Sequence, residues 1–472
     1  MSKQMKRTVG LWGGIATAVG IVVSSSAMVS LGEGFGLGGS GFIIAIGLAL
    51  ILNLFVALSF SELSGIVPRA GGLNHYTLPA MGPLVGNIAV ISGYVLVTVF
   101  SGSAEAAIIG NVFTDVFSLN VSPLIISLLA VALLGFTNLF GVKVFSSIQV
   151  VLTTFLISST IILGIIAITG SGTGETVSTN LEFNPMGWSV LSLTALAFWL
   201  FVGVEFVTPL AEEIKRPNMF IPLSMVLGLV IIFIAHTLFG FGAIKYAPLD
   251  NLAESGSPHV VAAEAILGQT GYFWMGIVTV LATTSTLNTL INAIARMIYD
   301  MGREGQMPKV FGKLNRWGTP SAAILFMSFL FVFFLIIGFT EGTSITTFIL
   351  AGSLCWMIAY IIAHLNVIIL RFRYPAAKRG FKSPFGVTFQ IIGIVGLIYI
   401  IFNISSDPSQ AADVYKYSLI FLGLSVIYSY IWVKYVMKRP VFQPVPLDEL
   451  TNHRQHSTEE HSIDDKEDIS NV

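Results

Sequence analysis

The residues with most chemical potential in this chain are polar groups set inside long apolar runs. Ser24, Ser25 and Ser26 form a hydroxyl triplet in a run that also holds Gly13, Gly14 and Gly20. If the helix breaks there, backbone N–H groups and hydroxyls converge on an anionic group. If it stays whole, the serines bond back to the preceding turn and allow close helix packing. Gly203 and Glu205 follow the cluster Phe198-Trp199-Leu200-Phe201-Val202 in another run. One reading is a second broken helix, with Trp199 as gate and Glu205 as a proton or cation site. The other is an aromatic packing face and a protonated, hydrogen-bonded glutamate. Glu105 has Ser101 one turn before it on the same helix face. It is either a coupling carboxylate or a satisfied structural acid, toward the outer end of its run. His236 and His364 read as core histidines, Asn288 and Asn292 as an i, i+4 pair bonding across helices or lining a path. Glu62 and Arg296, near run ends, suit pairing or snorkelling.

Other chemistries are excluded. No Walker A pattern is present, and Gly32, Gly34, Gly36, Gly38 and Gly39 read as a loop between spans, without the strand–turn–helix setting of a dinucleotide fingerprint. The single Cys355 rules out a disulfide framework and argues against a thiolate cluster. His453, His456 and His461 are too loosely spaced for a metal site. No catalytic residue, cofactor or metal is expected.

The elements that must position these groups are membrane helices. The chain has 472 residues, of which 54% are hydrophobic and 10% charged, with a net charge of −1; a soluble domain usually has about 25% charged residues. Mean hydropathy is +0.83. A neutral chain with no basic block gives no sign of a nucleic-acid partner. Twelve apolar runs approach the roughly 20 residues needed to cross hydrocarbon: 10–31, 41–66, 83–110, 122–141, 145–169, 188–211, 220–245, 272–300, 320–339, 345–370, 386–404 and 416–436. They lack the alternation of a barrel. The first follows Lys3, Lys6 and Arg7 without a small-x-small cleavage site and reads as a helix rather than a cleaved signal.

Charge sets the orientation. With both termini cytoplasmic, every basic residue but Lys245 and Lys416 falls in or beside a cytoplasmic segment, and segments 296–316 and 371–382 are the strongest. The stretch 441–472, with eight acidic and two basic residues, reads as a disordered cytoplasmic tail. The interrupted runs are the first and sixth, corresponding members of two five-helix halves, and paired interruptions point to a transporter site.

Three stretches resemble the amino acid–polyamine–organocation transporter superfamily. They are Phe60-Ser61-Glu62-Leu63 with Pro68-Arg69-Ala70-Gly71-Gly72, Tyr76 and Gly82-Pro83; Phe198 to Glu205 with Glu212-Glu213-Ile214-Lys215-Arg216-Pro217 and Ile221-Pro222; and Arg296, Tyr299, Asp300, Gly305, Met307-Pro308 and Gly318-Thr319-Pro320. The resemblance spans roughly residues 8–435 and implies an all-α, LeuT-like membrane fold of twelve helices, with helices 1 and 6 broken. It implies a short N-terminal segment (1–9), inverted repeats at 10–169 and 188–370, and two peripheral helices at 386–436. An amino acid would bind between the breaks. Ser25 and Ser26 would receive its carboxylate and carbonyls near Val22, Trp199 and Val202 its ammonium, with Ser24 and Gly203 also in the substrate-binding set. Trp199 would close the site, Ser101 would face the side chain, and Glu205 matches a carboxylate with a proton-sensing role in some relatives. Two departures stand out: serines replace the usual Gly-Ser-Gly break, and Leu156 stands where many relatives carry a lysine. The second shifts attention to Glu105 and Glu205.

The expected function is secondary transport of amino acids by alternating access in the plasma membrane, favouring proton-coupled uptake with H+ as second cargo. Amino acid or amine exchange is the alternative. A channel lacks a repeated filter or charge rings, a membrane enzyme lacks clustered titratable groups, and a binding-only sensor is separable by flux alone. The expected partners are the amino acid substrate, the proton and the lipid bilayer, and the chain is expected as a monomer or homodimer.

Overall fold

The computed structural model describes residues 9–67, 72–140, 145–177, 183–212, 214–341 and 344–449. Pro68, Arg69, Ala70, Gly71 and Glu213 of the motif stretches, and the three tail histidines, lie outside them. Among the described residues the chain is helical, and the only strand-like pairing is an isolated bridge between Val9 and Ile214. In order come α1 (Leu11–Val22), α2 (Ser25–Gly38), α3 (Phe42–Ile66), α4 (Gly72–Met81), α5 (Pro83–Val90), α6 (Val97–Asp115), α7 (Pro123–Asn138), α8 (Phe145–Thr169) and α9 (Thr194–Trp199). Then come α10 (Pro217–Tyr246), α11 (Leu249–Glu254), α12 (Pro258–Leu267), α13 (Gln269–Arg303), α14 (Ser321–Glu341), α15 (Ile345–Arg373), α16 (Thr388–Phe402) and α17 (Pro408–Ile431).

Among the described residues eight stretches are long and apolar enough to cross a membrane, and shorter apolar helices such as Pro123–Asn138 and Thr388–Phe402 accompany them. The flanks of the bundle are apolar where a soluble protein would be polar: Leu129, Leu133, Phe136, Phe329, Val395, Phe402 and Leu419 are all exposed. In water such a face would be a liability; in lipid it is the required solvent-facing surface. Trp188 and Trp12 are exposed near helix starts, the usual place of interfacial aromatics.

Two helices are interrupted. The expected first span is two helices: α1 ends at Val22, Val23 is extended, and Ser24 caps α2 by accepting from the Ala27 N–H at 3.3 Å. The sixth is a 3-10 turn (Gly187–Leu193), the short α9, an irregular segment 200–203, and a second 3-10 stretch (Val204–Glu212). Gly203 has φ +106°, a conformation that side chains other than glycine avoid. Between Val90 and Val97 the third span carries a π-helical turn, Ile91–Leu96, a feature often found at functional sites.

Two expectations are corrected. Gly32, Gly34, Gly36 and Gly38 do not form a loop; they lie inside α2. Their missing side chains let other elements come close: a Cβ on Gly36 would meet the Ala253 backbone N at 2.4 Å, and one on Gly34 the Phe42 ring at 2.1 Å. Hydropathy reads a glycine run as a loop, whereas here it is a packing face of a helix. Residues 441–449 also hold defined contacts. Leu84 N–H donates to the Val441 carbonyl at 3.1 Å, and Val445 N–H to that of Leu78 at 3.1 Å. The first part of the expected tail is therefore seated on α4 and α5.

Candidate functional site at the two helix breaks

The breaks meet in a buried cavity of about 40 Å³ lined by Val22, Ser24, Ser26, Ser101, Glu105, Trp199 and Val202, with Gly93, Thr98, Phe206, Thr286 and Trp356 completing the wall. Most residues singled out from sequence converge here. Gly203 lies next to Val202 in the sixth-span break. Ser25 is fully buried but turned toward α13, where its Oγ accepts from Thr283 Oγ1 at 2.6 Å and approaches the Thr279 carbonyl at 3.5 Å.

The α2 N-terminus is the electropositive end of the site. The first N–H groups of a helix have no intrahelical acceptor, and the helix dipole places about half a positive charge there. The Ser26 N–H donates to Glu105 Oε1 at 2.9 Å. The hydroxyls of Ser24, Ser26 and Thr283 surround the same carboxylate, yet Oε2 has no partner with hydrogen-bond geometry. The fully buried Glu105 thus lies deep inside, not in an outer vestibule as its place in the run suggested. It makes no ion pair among the described residues.

Trp199, the last residue of α9, lines the cavity. Its indole Nε1–H donates to Ser26 Oγ at 3.1 Å, and Ser24 Oγ lies 3.0 Å from the same oxygen. The ring meets Trp356 edge-on, with centroids 5.8 Å apart. Gly352 gives the indole room, since a Cβ there would stand 3.3 Å from the ring.

Glu205 is held differently. Trp356 Nε1–H donates to its Oε1 at 3.0 Å and Tyr360 O–H to its Oε2 at 2.7 Å. The Tyr360 oxygen in turn accepts the Gly203 N–H at 3.2 Å. Both carboxylate oxygens are engaged, and the carboxylate ties the sixth-span break to α15. Sequence reasoning missed Trp356 and Tyr360, although their i, i+4 spacing on one helix face was a readable signal. The stripe Thr279, Thr283 and Thr286 on α13 was readable too.

The remaining sequence candidates lie outside the site. Glu62 is buried and paired with Arg371 at 2.5 Å and Arg379 at 3.2 Å. Asn288 accepts from Asn138 Nδ2 at 2.7 Å. His364 Nδ1 lies 2.9 Å from Ser59 Oγ, and His236 is buried against the Phe201 ring, with neither nitrogen hydrogen-bonded. Leu156 is fully buried in α8. Among the described residues no His, Cys, Asp and Glu cluster has the makings of a metal site.

Comparison with known proteins agrees with this architecture. The b(0,+)-type amino acid transporter 1 of Mus musculus is 23% identical over 459 residues, covering 93% of this chain and 91% of that protein. The branched-chain amino acid permease of Bacillus subtilis (strain 168) is 23% identical, covering 85% of this chain and 89% of its own length. The cystine/glutamate transporter of Homo sapiens is also 23% identical, over 86% of this chain and 82% of that protein. The family model described as amino acid permease matches residues 8–431. The chain is a multi-pass membrane protein and belongs to the amino acid permease family.

Proposed function

We propose that this protein carries a neutral amino acid across the plasma membrane by alternating access, coupled to inward proton movement. The observation that carries the reading is the meeting of two interrupted helices at one buried cavity, with a helix N-terminus, a titratable carboxylate and an aromatic lid around it. A zwitterion suits that field. Its carboxylate belongs at the α2 N-terminus beside Ser24, Ser25 and Ser26. Its ammonium belongs at the C-terminal ends of α1 and α9, near the carbonyls of Val22, Trp199, Val202 and Gly203. Ser101 faces the substrate side chain. Among the described residues no cationic side chain lines the cavity, which favours a neutral substrate over an acidic one.

Within this reading the chain has twelve spans, with 10–169 and 188–370 as inverted repeats and both termini cytoplasmic. Glu105 is the proton site and Glu205 braces the sixth-span break. The named relatives differ in cargo, branched-chain amino acids in one and cystine and glutamate in another, so the family alone does not choose a substrate. The buried Leu156 in place of a lysine favours a carboxylate as the coupling group, or exchange without coupling.

The test is uptake of radiolabelled amino acids into proteoliposomes, with and without an inward proton gradient at fixed external pH. Gradient-driven accumulation of a neutral amino acid supports the proposal. Uptake only into vesicles preloaded with amino acid would make the protein an exchanger and overturn the coupling.

A further inference from the structure

The seat expected for the substrate carboxylate is already filled. Glu105 reaches across from α6 and places Oε1 on the Ser26 N–H, the first turn of α2, where an anion is best stabilised. The lid is closed over it through the Trp199–Ser26 bond. What space remains, about 40 Å³, is room for a few waters. Glu105 Oε2 is buried without a partner, so the seat holds this carboxylate by one oxygen only.

Resting on the reading that an amino acid binds between the breaks, we propose that Glu105 is a tethered stand-in for the cargo's carboxylate. It occupies the α2 N-terminus in the empty transporter, and the cargo takes the seat only as Glu105 leaves it and accepts a proton. Two ionised carboxylates at one desolvated seat disfavour each other, and the electropositive end of one helix offsets only a fraction of a charge. The cargo brings the second negative charge, and a proton from the aqueous side removes the first. Substrate binding and proton uptake are then a single exchange at one N–H group, without a lysine in the fifth span.

Among the described residues Glu105 is the only ionisable side chain lining the cavity. On α2 the neighbours are serines, with Glu33 two turns farther on; on α13 they are Thr279, Thr283 and Thr286. α7 carries no titratable side chain, and α14 has only Glu341 at its last position. From α15 comes Trp356, with Glu205 engaged behind it. α11 brings Asp250 and Glu254 against the outer part of α2, where a Cβ on Gly36 would meet Ala253 and Leu249. On α10 the candidates are His236, against Phe201, and Lys245, which donates to the Ala167 and Ile168 carbonyls. His259 of α12 is a further alternative, with Nε2 2.8 Å from Thr279 Oγ1.

Calorimetry on the purified full-length protein tests this, with L-alanine, L-serine, L-valine and L-leucine as probes, in two buffers of different ionisation enthalpy from pH 5 to 8. The expected wild-type result is one proton taken up per amino acid bound. The apparent Kd weakens by about tenfold per pH unit where Glu105 is ionised in the empty form. Glu105→Gln should bind at every pH, with a flat Kd, no proton uptake and tighter binding than wild type at pH 8. His259→Gln should keep the wild-type proton count. A wild-type count of zero overturns the proposal without any variant. Loss of binding by folded Glu105→Gln at all pH values would make Glu105 a direct ligand and also overturn it, as would proton uptake that persists in that variant. Failure of all four probes to bind wild type would instead remove the amino acid reading beneath it.

Discussion

The bond between Trp199 and Ser26 gives a prediction whose size follows from the structure. The indole N–H and the serine oxygen are 3.1 Å apart, and both residues are buried. Ser26→Ala removes the acceptor and leaves a buried indole N–H without a partner. That costs the closed form about 1–3 kcal/mol. Trp199→Phe removes the donor instead. Ser26 Oγ then keeps Ser24 Oγ at 3.0 Å, so the hydrogen-bond part of the loss is smaller, about 0.5–1.5 kcal/mol. The backbone N–H of Ser26 survives either change, so the anion seat remains. At about 1.4 kcal/mol per factor of ten, Ser26→Ala should lower substrate affinity roughly 5- to 140-fold without abolishing it. The assay is a double-mutant cycle on Kd and on uptake kcat/KM in proteoliposomes. The expected coupling between the two sites is about 1 kcal/mol. Strict additivity, with a coupling near zero, would refute the lid contact.

Three other perturbations separate the roles assigned above. Glu62→Gln should leave Arg371 and Arg379 buried with a partner that has lost its charge, costing about 3–5 kcal/mol; a markedly lower melting temperature in detergent is expected, and an unchanged one would refute the pairing. Glu205→Gln keeps the shape but forces one of the Trp356 and Tyr360 donors to face an amide N–H₂ group, a loss of about 1–3 kcal/mol. Uptake should weaken while its pH profile keeps its shape, and a flattened profile would move the proton site to Glu205. Gly36→Val drives a side chain into the Ala253 backbone, an overpacking worth roughly 1–3 kcal/mol, and should loosen α11 from α2, read as faster proteolysis of the 249–254 segment.

The helical membrane fold was legible because its cause is one-dimensional: a long apolar run has few solutions in lipid. The first break was legible for a similar reason, since Ser24 to Ser26 are costly at mid-membrane unless they face something polar. The glycines of α2 were misread because a glycine run has two meanings. It ends a helix or lets a neighbour touch it, and only the position of Ala253, Phe42 and Leu249 decides between them. Trp356 and Tyr360 escaped notice because aromatic residues in a largely apolar run read as packing, and their polar tips matter only through Glu205. The depth of Glu105 was illegible for a geometric reason: position along its own helix says nothing about where α2 begins. Its partner, Ser26, lies 79 residues away in the chain.

Among the described residues three carboxylates are buried, Glu62, Glu105 and Glu205, and they differ in how fully each is satisfied. Glu62 has two arginines and the Ser383 N–H at 2.8 Å, and freeing it would strand two charges. It therefore belongs to the part that stays fixed, fastening α3 to the segment after α15. Glu205 is bound at both oxygens by neutral donors. Moving it would break both bonds, which suits a brace across an irregular segment. Glu105 has one backbone N–H on one oxygen, serine and threonine hydroxyls around it but no partner with hydrogen-bond geometry on the other, and no cation. It alone has a partner that a ligand's carboxylate can replace at equal quality, and it alone lines the cavity. A buried charge is a poor stabiliser when its compensation is incomplete. On the proposal made above, a carboxylate held this way, where two helices are broken, is the element whose protonation and position change together.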